Sequence, residues 1–328
     1  MQKKSVLNTA TANQPLQETS ADKSFSKDYL LKGFKRYSAP AKINLFLHVV
    51  GQRADGYHLL QTVFCLVNLC DVIYLKVSND STISRVNQVQ GVPEADDLCV
   101  RAAKLLQSHT NSQQGAQIAV EKHIPMGGGL GGGSSDAATV LMALNDLWQC
   151  GLNRETLQAL GLQLGADVPF FIYGQNAWAE GIGEQFQAMN LPKKYYVLIT
   201  PDINVPTREI FASEQLTKNT NPKTMLDFSE ALNSSAVYVN GEFTNTLENV
   251  VRKKYSAVDS CLKTLAKVAT PRMSGSGGTV FAEFDSEISA KNALFAVSAE
   301  LNQIGITLKN AVVVSSLKYH PLAAKELY

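Results

Sequence analysis

Pro125 to Ser135 reads Pro-Met-Gly-Gly-Gly-Leu-Gly-Gly-Gly-Ser-Ser, with six glycines in the seven positions from Gly127 to Gly133. Glycine in quantity costs backbone entropy, so such a run inside a folded segment needs a physical reason. Its setting suggests close approach of backbone N–H groups to an anion. After the run, Ala137, Val140, Leu141, Leu144, Leu147 and Trp148 recur at helical spacing, which predicts a helix from Ala137 to a stop at Gly151. Ser134 or Ser135 supplies the N-cap, and Asp136 suits the first turn. A glycine loop feeding a helix N-terminus brings free N–H groups and the positive end of the helix dipole to one place, which makes a phosphate cradle. The loop has no lysine of the Walker type, and no acid follows a second strand as the dinucleotide fingerprint requires. A flexible linker would not run straight into a capped amphipathic helix.

Other residues could share that chemistry. Lys42 and Asn44 lie on one side of a strand whose apolar residues, Ile43, Leu45, Leu47 and Val49, alternate with polar or bulkier ones, as in a half-buried strand. Gly165-Ala166-Asp167-Val168-Pro169 sets an acid between a helix stop and a Pro-containing apolar run, hence on a rigid bend. A second glycine loop, Ser274 to Gly278, leads into a strand over residues 279–284. The bland readings are a solvated lysine at 42 and a helix-end cap at 167.

The elements that would position these residues follow from periodicity and punctuation. Strands are expected at 59–69, 71–77, 83–89, 116–121, 177–182, 195–200 and 311–317. Helices are expected from Leu98, capped by Asp96 or Asp97, and over 154–164, 208–216, 225–233, 246–268 and 286–301. Residues 1–36 are polar, lack an apolar targeting core and read as a disordered or loosely docked extension. Residues 37–200 form an N-terminal domain and 201–328 a C-terminal domain, with 201–206 as the crossing. Strand, helix and strand after a helical start suggest an α/β sandwich in the second, and the whole is α+β.

The 328 residues leave room for two cores. A net charge of +1 gives no electrostatic case for nucleic acid or an anionic membrane surface, and no apolar run approaches a membrane span. The five scattered cysteines show no disulfide framework or zinc spacing; reduced thiols and a cytoplasmic location are expected. His48, His109, His123 and His320 show no ligand spacing and read as structural or surface residues.

Three ordered segments resemble the GHMP kinase superfamily: Pro40-Ala41-Lys42-Ile43-Asn44-Leu45, Pro125 to Ser135, and Met273 to Gly277. Gly51 to His58 (Gly-Gln-Arg-Ala-Asp-Gly-Tyr-His), the complete first loop and Gly165 to Pro169 narrow the likeness. It is to members that phosphorylate the 2-hydroxyl of a cytidine-diphosphate-bearing sugar alcohol, in the non-mevalonate route to isoprenoid precursors. The resemblance runs from about 37 to 317. It implies a two-domain fold with a left-handed βαβ unit in the first half and a ferredoxin-like second half, ATP and acceptor meeting between them.

The resemblance also implies roles. Pro125, Met126, Gly127, Gly128, Gly129, Leu130, Gly131, Gly132, Gly133, Ser134 and Ser135 would bind ATP, with Gly275, Ser276 and Gly277 closing over the first loop or over the phosphates. Mg2+ would bridge the β- and γ-oxygens, with Ser134 or Ser135 as a hydroxyl contact. Asp167 would be the general base and Lys42 its ion-pair partner. Tyr57 and Phe211 would sandwich the cytosine, His58 would address its edge, and Asn44 and Thr207 would hold the sugar-alcohol or phosphate part. A monomer or weak homodimer is implied. The alternatives are a mevalonate- or homoserine-type kinase and a non-catalytic binding protein on the same fold.

Overall fold

A computed structural model describes residues 28–30, 32–233 and 241–323. The expected extension therefore lies mostly outside the described residues. Its last part is docked: Tyr29 stacks on Tyr74 with ring centroids 5.3 Å apart, and Phe34 packs edge-on against Tyr29.

The first sheet is built on β1 (Lys35–Gln52) and β2 (His58–Ser78). The expected pair of strands at 59–69 and 71–77 is one continuous strand of 21 residues. β3 (Ile83–Arg85), shorter than expected, is followed by α1 (Leu98–Thr110), β4 (Gly115–Glu121), α2 (Gly132–Leu147), α3 (Arg154–Leu164), α4 (Val168–Tyr173), β5 (Ala177–Glu180) and β6 (Gln185–Ala188). The order is β3-β4-β2-β5-β6, with β1 also paired to β2; only β3 and β4 run parallel. Asp97 caps α1 by accepting from the N–H of Cys99.

β1 corrects the half-buried expectation. Its central residues are buried on both faces, one against the helical core around α2 and the other against a core shared with the second sheet. Lys42, Asn44 and His48 are thus interior polar groups and need partners. Register shifts at Pro40/Ala41, Asn44/Leu47 and Val49/Gly51 bend the strand, as bulges do where a side chain is re-aimed at a site.

The second sheet contains β7 (Tyr195–Pro201), β8 (Arg272–Met273), β9 (Val280–Phe284) and β10 (Leu308–Ser315), in the order β10-β7-β9-β8 and antiparallel throughout. Residue 200 falls within β7, a strand of this second sheet. Before β8 come α5 (Thr207–Phe211), α6 (Met225–Asn233), α7 (Glu248–Lys254) and α8 (Ser256–Leu265); α9 (Glu287–Gln303) precedes β10. The helix expected over 246–268 is two helices, because Tyr255 takes φ −127° and ψ 89° between them. That over 208–216 ends at Phe211. α8 and α9 bury Val258, Leu262, Leu265, Ala290 and Val297 with Val197, Val280 and Ala282 of the sheet, completing the expected α/β sandwich.

The chain crosses between the units more than once. Thr246 N donates to the Leu47 carbonyl and Thr220 N to that of Val49. After β10, Leu317 N donates to the Leu66 carbonyl, and His320 reaches Thr139 of α2, 3.3 Å from Nε2 to Oγ1.

Candidate active site

The two glycine loops lie back to back. Thr279 N donates to the Gly128 carbonyl at 3.1 Å, and Ser274 Oγ donates to the Gly129 carbonyl at 3.0 Å. Gly129 has φ +73°, and a Cβ there would stand 2.3 Å from the Ser274 carbonyl oxygen. Glycine is therefore required by a backbone-on-backbone contact as well as by conformation. The second loop is hydrogen-bonded to the first, and its Gly275 and Ser276 also line the cleft.

Gly131, at φ +72°, is the N-cap of α2. The helix starts at Gly132, earlier than the sequence suggested, so Ser134 and Ser135 lie in its first turn and neither caps it. Glycine's poor helix propensity hides this start; packing overrides it, since Gly132 lies against Ile124 and Asp71. Ser134 lines the cleft, whereas Ser135 is fully buried with its hydroxyl unpartnered.

Beside this N-terminus sits Lys42. Its backbone N–H donates to the Leu130 carbonyl, which ties β1 to the loop. Its Nζ donates to Asn44 Oδ1 at 2.7 Å, lies 3.5 Å from Asp167 Oδ2, and stands 5.1 Å from the centre of the Phe64 ring. Asn44 Nδ2 in turn donates to Thr62 Oγ1 at 2.9 Å. The Lys42 side chain is 4% exposed and that of Asp167 36%. Lys42 is no solvated strand lysine. Asp167 occupies the N-cap position of α4 without making a side-chain cap; its carboxylate is turned to Lys42 and the cleft.

Further along the same cleft, of about 1130 Å³, are Tyr57, His58, Thr207 and Phe211. The Phe211 ring packs on His58, centroids 5.2 Å apart and planes inclined by 38°. Tyr57 is 59% exposed on the turn before β2. Burial, helped by the Lys218 charge, lowers the pKa of His58 and favours its neutral ring. Its Nε2 is shielded and unpartnered among the described residues. Thr207 Oγ1 and Ser276 Oγ share a 2.6 Å hydrogen bond that joins α5 to the second loop.

Sequence reasoning missed a buried charge network beneath the first loop. Lys122 forms ion pairs with Asp71 and, at 2.6 Å, with Asp136. Asp71 Oδ1 also accepts from the N–H groups of His123 and Ile124 at 2.6 and 2.8 Å. Burial opposes the Lys122 charge, but the two carboxylates outweigh it and hold the ammonium pKa above its ordinary value. Asp136 is pushed well up by burial and by Asp71, against the pull of Lys122. Asp71 is the sole acid in β2; an acid inside so long an apolar strand was the available signal.

Residues 97–175 match the GHMP kinases N terminal domain and residues 216–303 the GHMP kinases C terminal domain. The chain is 49% identical over 286 residues to a 4-diphosphocytidyl-2-C-methyl-D-erythritol kinase of Burkholderia ambifaria, covering 87% of this chain and 95% of the relative. It is 48% identical over 290 residues to the enzyme of that name from a Janthinobacterium species, with the same coverage of both. A crystal structure of 4-(cytidine 5'-diphospho)-2C-methyl-D-erythritol kinase superposes with a TM-score of 0.71 at 31% identity, over 86% of this chain and 99% of the other. A homoserine kinase from Cytophaga hutchinsonii shares the fold, with a TM-score of 0.66 at 17% identity over 88% and 95% of the two chains. This chain belongs to the 4-diphosphocytidyl-2-C-methyl-D-erythritol kinase family of the GHMP kinases.

Proposed function

We propose that the chain transfers the γ-phosphoryl group of ATP to the 2-hydroxyl of 4-(cytidine 5'-diphospho)-2-C-methyl-D-erythritol. The products are the 2-phosphate and ADP, within non-mevalonate isoprenoid precursor biosynthesis. The observation that carries this reading is the Lys42–Asp167 pair, 3.5 Å apart, in a cleft walled by the glycine loop and by the His58–Phe211 aromatic pair.

The backbone N–H groups of Gly127 to Ser135 and the α2 dipole hold the triphosphate. Asp167 accepts the proton as the alcohol oxygen bonds to the γ-phosphorus and the bond to the β-phosphate oxygen breaks, releasing ADP. Lys42, kept in place by Asn44, pairs with Asp167 at 3.5 Å and offsets the charge that develops on the transferred group. Because such transition states are loose, the orientation of the hydroxyl counts alongside the proton transfer. Tyr57, His58 and Phe211 bind the cytosine, and Asn44 and Thr207 the part between.

Mg2+ keeps several waters and binds largely through the nucleotide's phosphates, so few protein ligands are needed. Ser134, on the cleft wall, would hold it; the buried Ser135 hydroxyl would not. When bound, Mg2+ neutralises the phosphate oxygens. Five free cysteines support a reducing, cytoplasmic setting, and no helix among the described residues is long and apolar enough to cross a membrane.

ADP release measured with each acceptor in turn tests the reading. Turnover is expected with the cytidine diphosphate alcohol; preference for mevalonate or homoserine would overturn it.

A further inference from the structure

Four basic side chains line the cleft: Lys42, Lys122, Arg208 and Lys218. Lys42 faces Asp167, and Lys122 is held between Asp71 and Asp136. Arg208 and Lys218 pair with no carboxylate among the described residues. Their acidic neighbours are engaged elsewhere: Glu209 binds Lys254 at 2.8 Å, and Asp55 binds Arg53 at 2.7 Å. Two unmatched cations in a concave site form an anion-attracting field.

Their place in the cleft narrows the anion. α5 begins at Thr207, hydrogen-bonded to the second glycine loop, and ends at Phe211, packed on His58. Arg208 precedes Phe211 by three residues and so shares its helix face. Lys218 is near enough for its charge to help lower the pKa of His58. Both cations thus line the cleft that holds the aromatic pair, Lys218 close enough to act on His58 and Arg208 one turn before Phe211. The anionic part of the proposed acceptor, its diphosphate, joins the nucleobase end to the reacting alcohol.

We propose that Arg208 and Lys218 seat the diphosphate that links cytidine to the sugar alcohol, an assignment that rests on the kinase reading above. Arg208 offers a planar fork to two phosphate oxygens, and Lys218 a point charge. Binding energy gained on this remote, non-reacting group orients the alcohol against Asp167. It also gives selectivity: an acceptor without a diphosphate leaves two cations unanswered in the cleft.

The test uses the full chain with Arg208→Gln, Lys218→Met and the double variant. Steady-state rates are measured against acceptor and ATP separately, and calorimetry follows binding of CDP and of cytidine. Each single change is expected to raise KM for the acceptor about tenfold, the size of one charged hydrogen bond, while KM for ATP moves less than about twofold. CDP affinity should fall in parallel and cytidine affinity hold; Lys218→Arg should recover most of the loss, and Arg208→Lys only the part that charge without the fork supplies. Equal loss for cytidine and CDP, or a shift confined to ATP, overturns the assignment. Wild-type chain that releases no ADP with the acceptor defeats the kinase reading and this assignment with it. Turnover with an unaltered acceptor KM in the double variant defeats the assignment alone.

Discussion

At the scale of single residues, the site turns on an asymmetry between two partners. Lys42 is sealed in the protein while Asp167 stands partly open to the cleft. A buried ammonium held by Asn44 and a carboxylate keeps its position; the open carboxylate faces the cleft. Asp167→Asn keeps the shape and removes the charge. We expect kcat to fall by about 10²–10⁴-fold with little change in KM for ATP, read from initial rates at saturating acceptor. An unchanged kcat would remove Asp167 from the chemistry. The acid on its bend and the Lys-x-Asn pair were legible in the sequence because turn residues and motifs are local. Burial of Lys42 was not, since it depends on Phe64 of β2, Gly131 of the first loop and Asp167 gathering around it from separate parts of the chain.

At the scale of elements, the two glycine loops form one device. The first was legible from composition, but its dependence on the second was not, because the contact joins segments about 145 residues apart. Gly129→Ala would force a Cβ to within 2.3 Å of the Ser274 carbonyl at a positive φ. Left-handed backbone alone costs about 1–2 kcal/mol for a non-glycine residue, and the overlap adds to it. We expect thermal unfolding to move to lower temperature and KM for ATP to rise more than KM for the acceptor. Equal affinity for ATP in the variant would show that the loop tolerates separation from its support. The Lys122 network tightens the same device from the other side. Lys122→Met would leave Asp71 and Asp136 facing each other without a cation, a loss of about 3–5 kcal/mol measurable by denaturant unfolding; unaltered stability would mean that the pair shares a proton and needs no lysine.

At the scale of the whole molecule, two buried histidines make stability depend on pH. Burial lowers His320 from the ordinary 6.5 to about 3, and burial with the charge of Lys223 lowers His48 to about 4. Between those values and 6.5 the unfolded chain binds protons that the folded chain refuses. Stability is therefore full above pH 6.5 and declines as pH falls toward 4, by up to about 1.4 kcal/mol per pH unit for each ring. Replacing His320 with Gln should reduce the pH slope of the unfolding free energy between pH 4.5 and 6 by about one proton. An unchanged slope would show that the ring is not held neutral. These histidines read as structural or surface residues in the sequence; only the returning chain end reveals that His320 is sealed against α2.

That return has a bearing on how the protein is made. Leu317 hydrogen-bonds to β2, Asn176 Nδ2 donates to the Leu317 carbonyl, and His320 meets Thr139 on the helix that follows the first glycine loop. The first half of the polypeptide thus emerges from the ribosome lacking a piece that follows Thr139 by 181 residues. Released fragments ending before residue 317 are expected to leave that helix open to protease digestion, and those reaching 323 to protect it. Early termination would then yield chains that quality control can recognise, rather than half-assembled kinases that trap ATP.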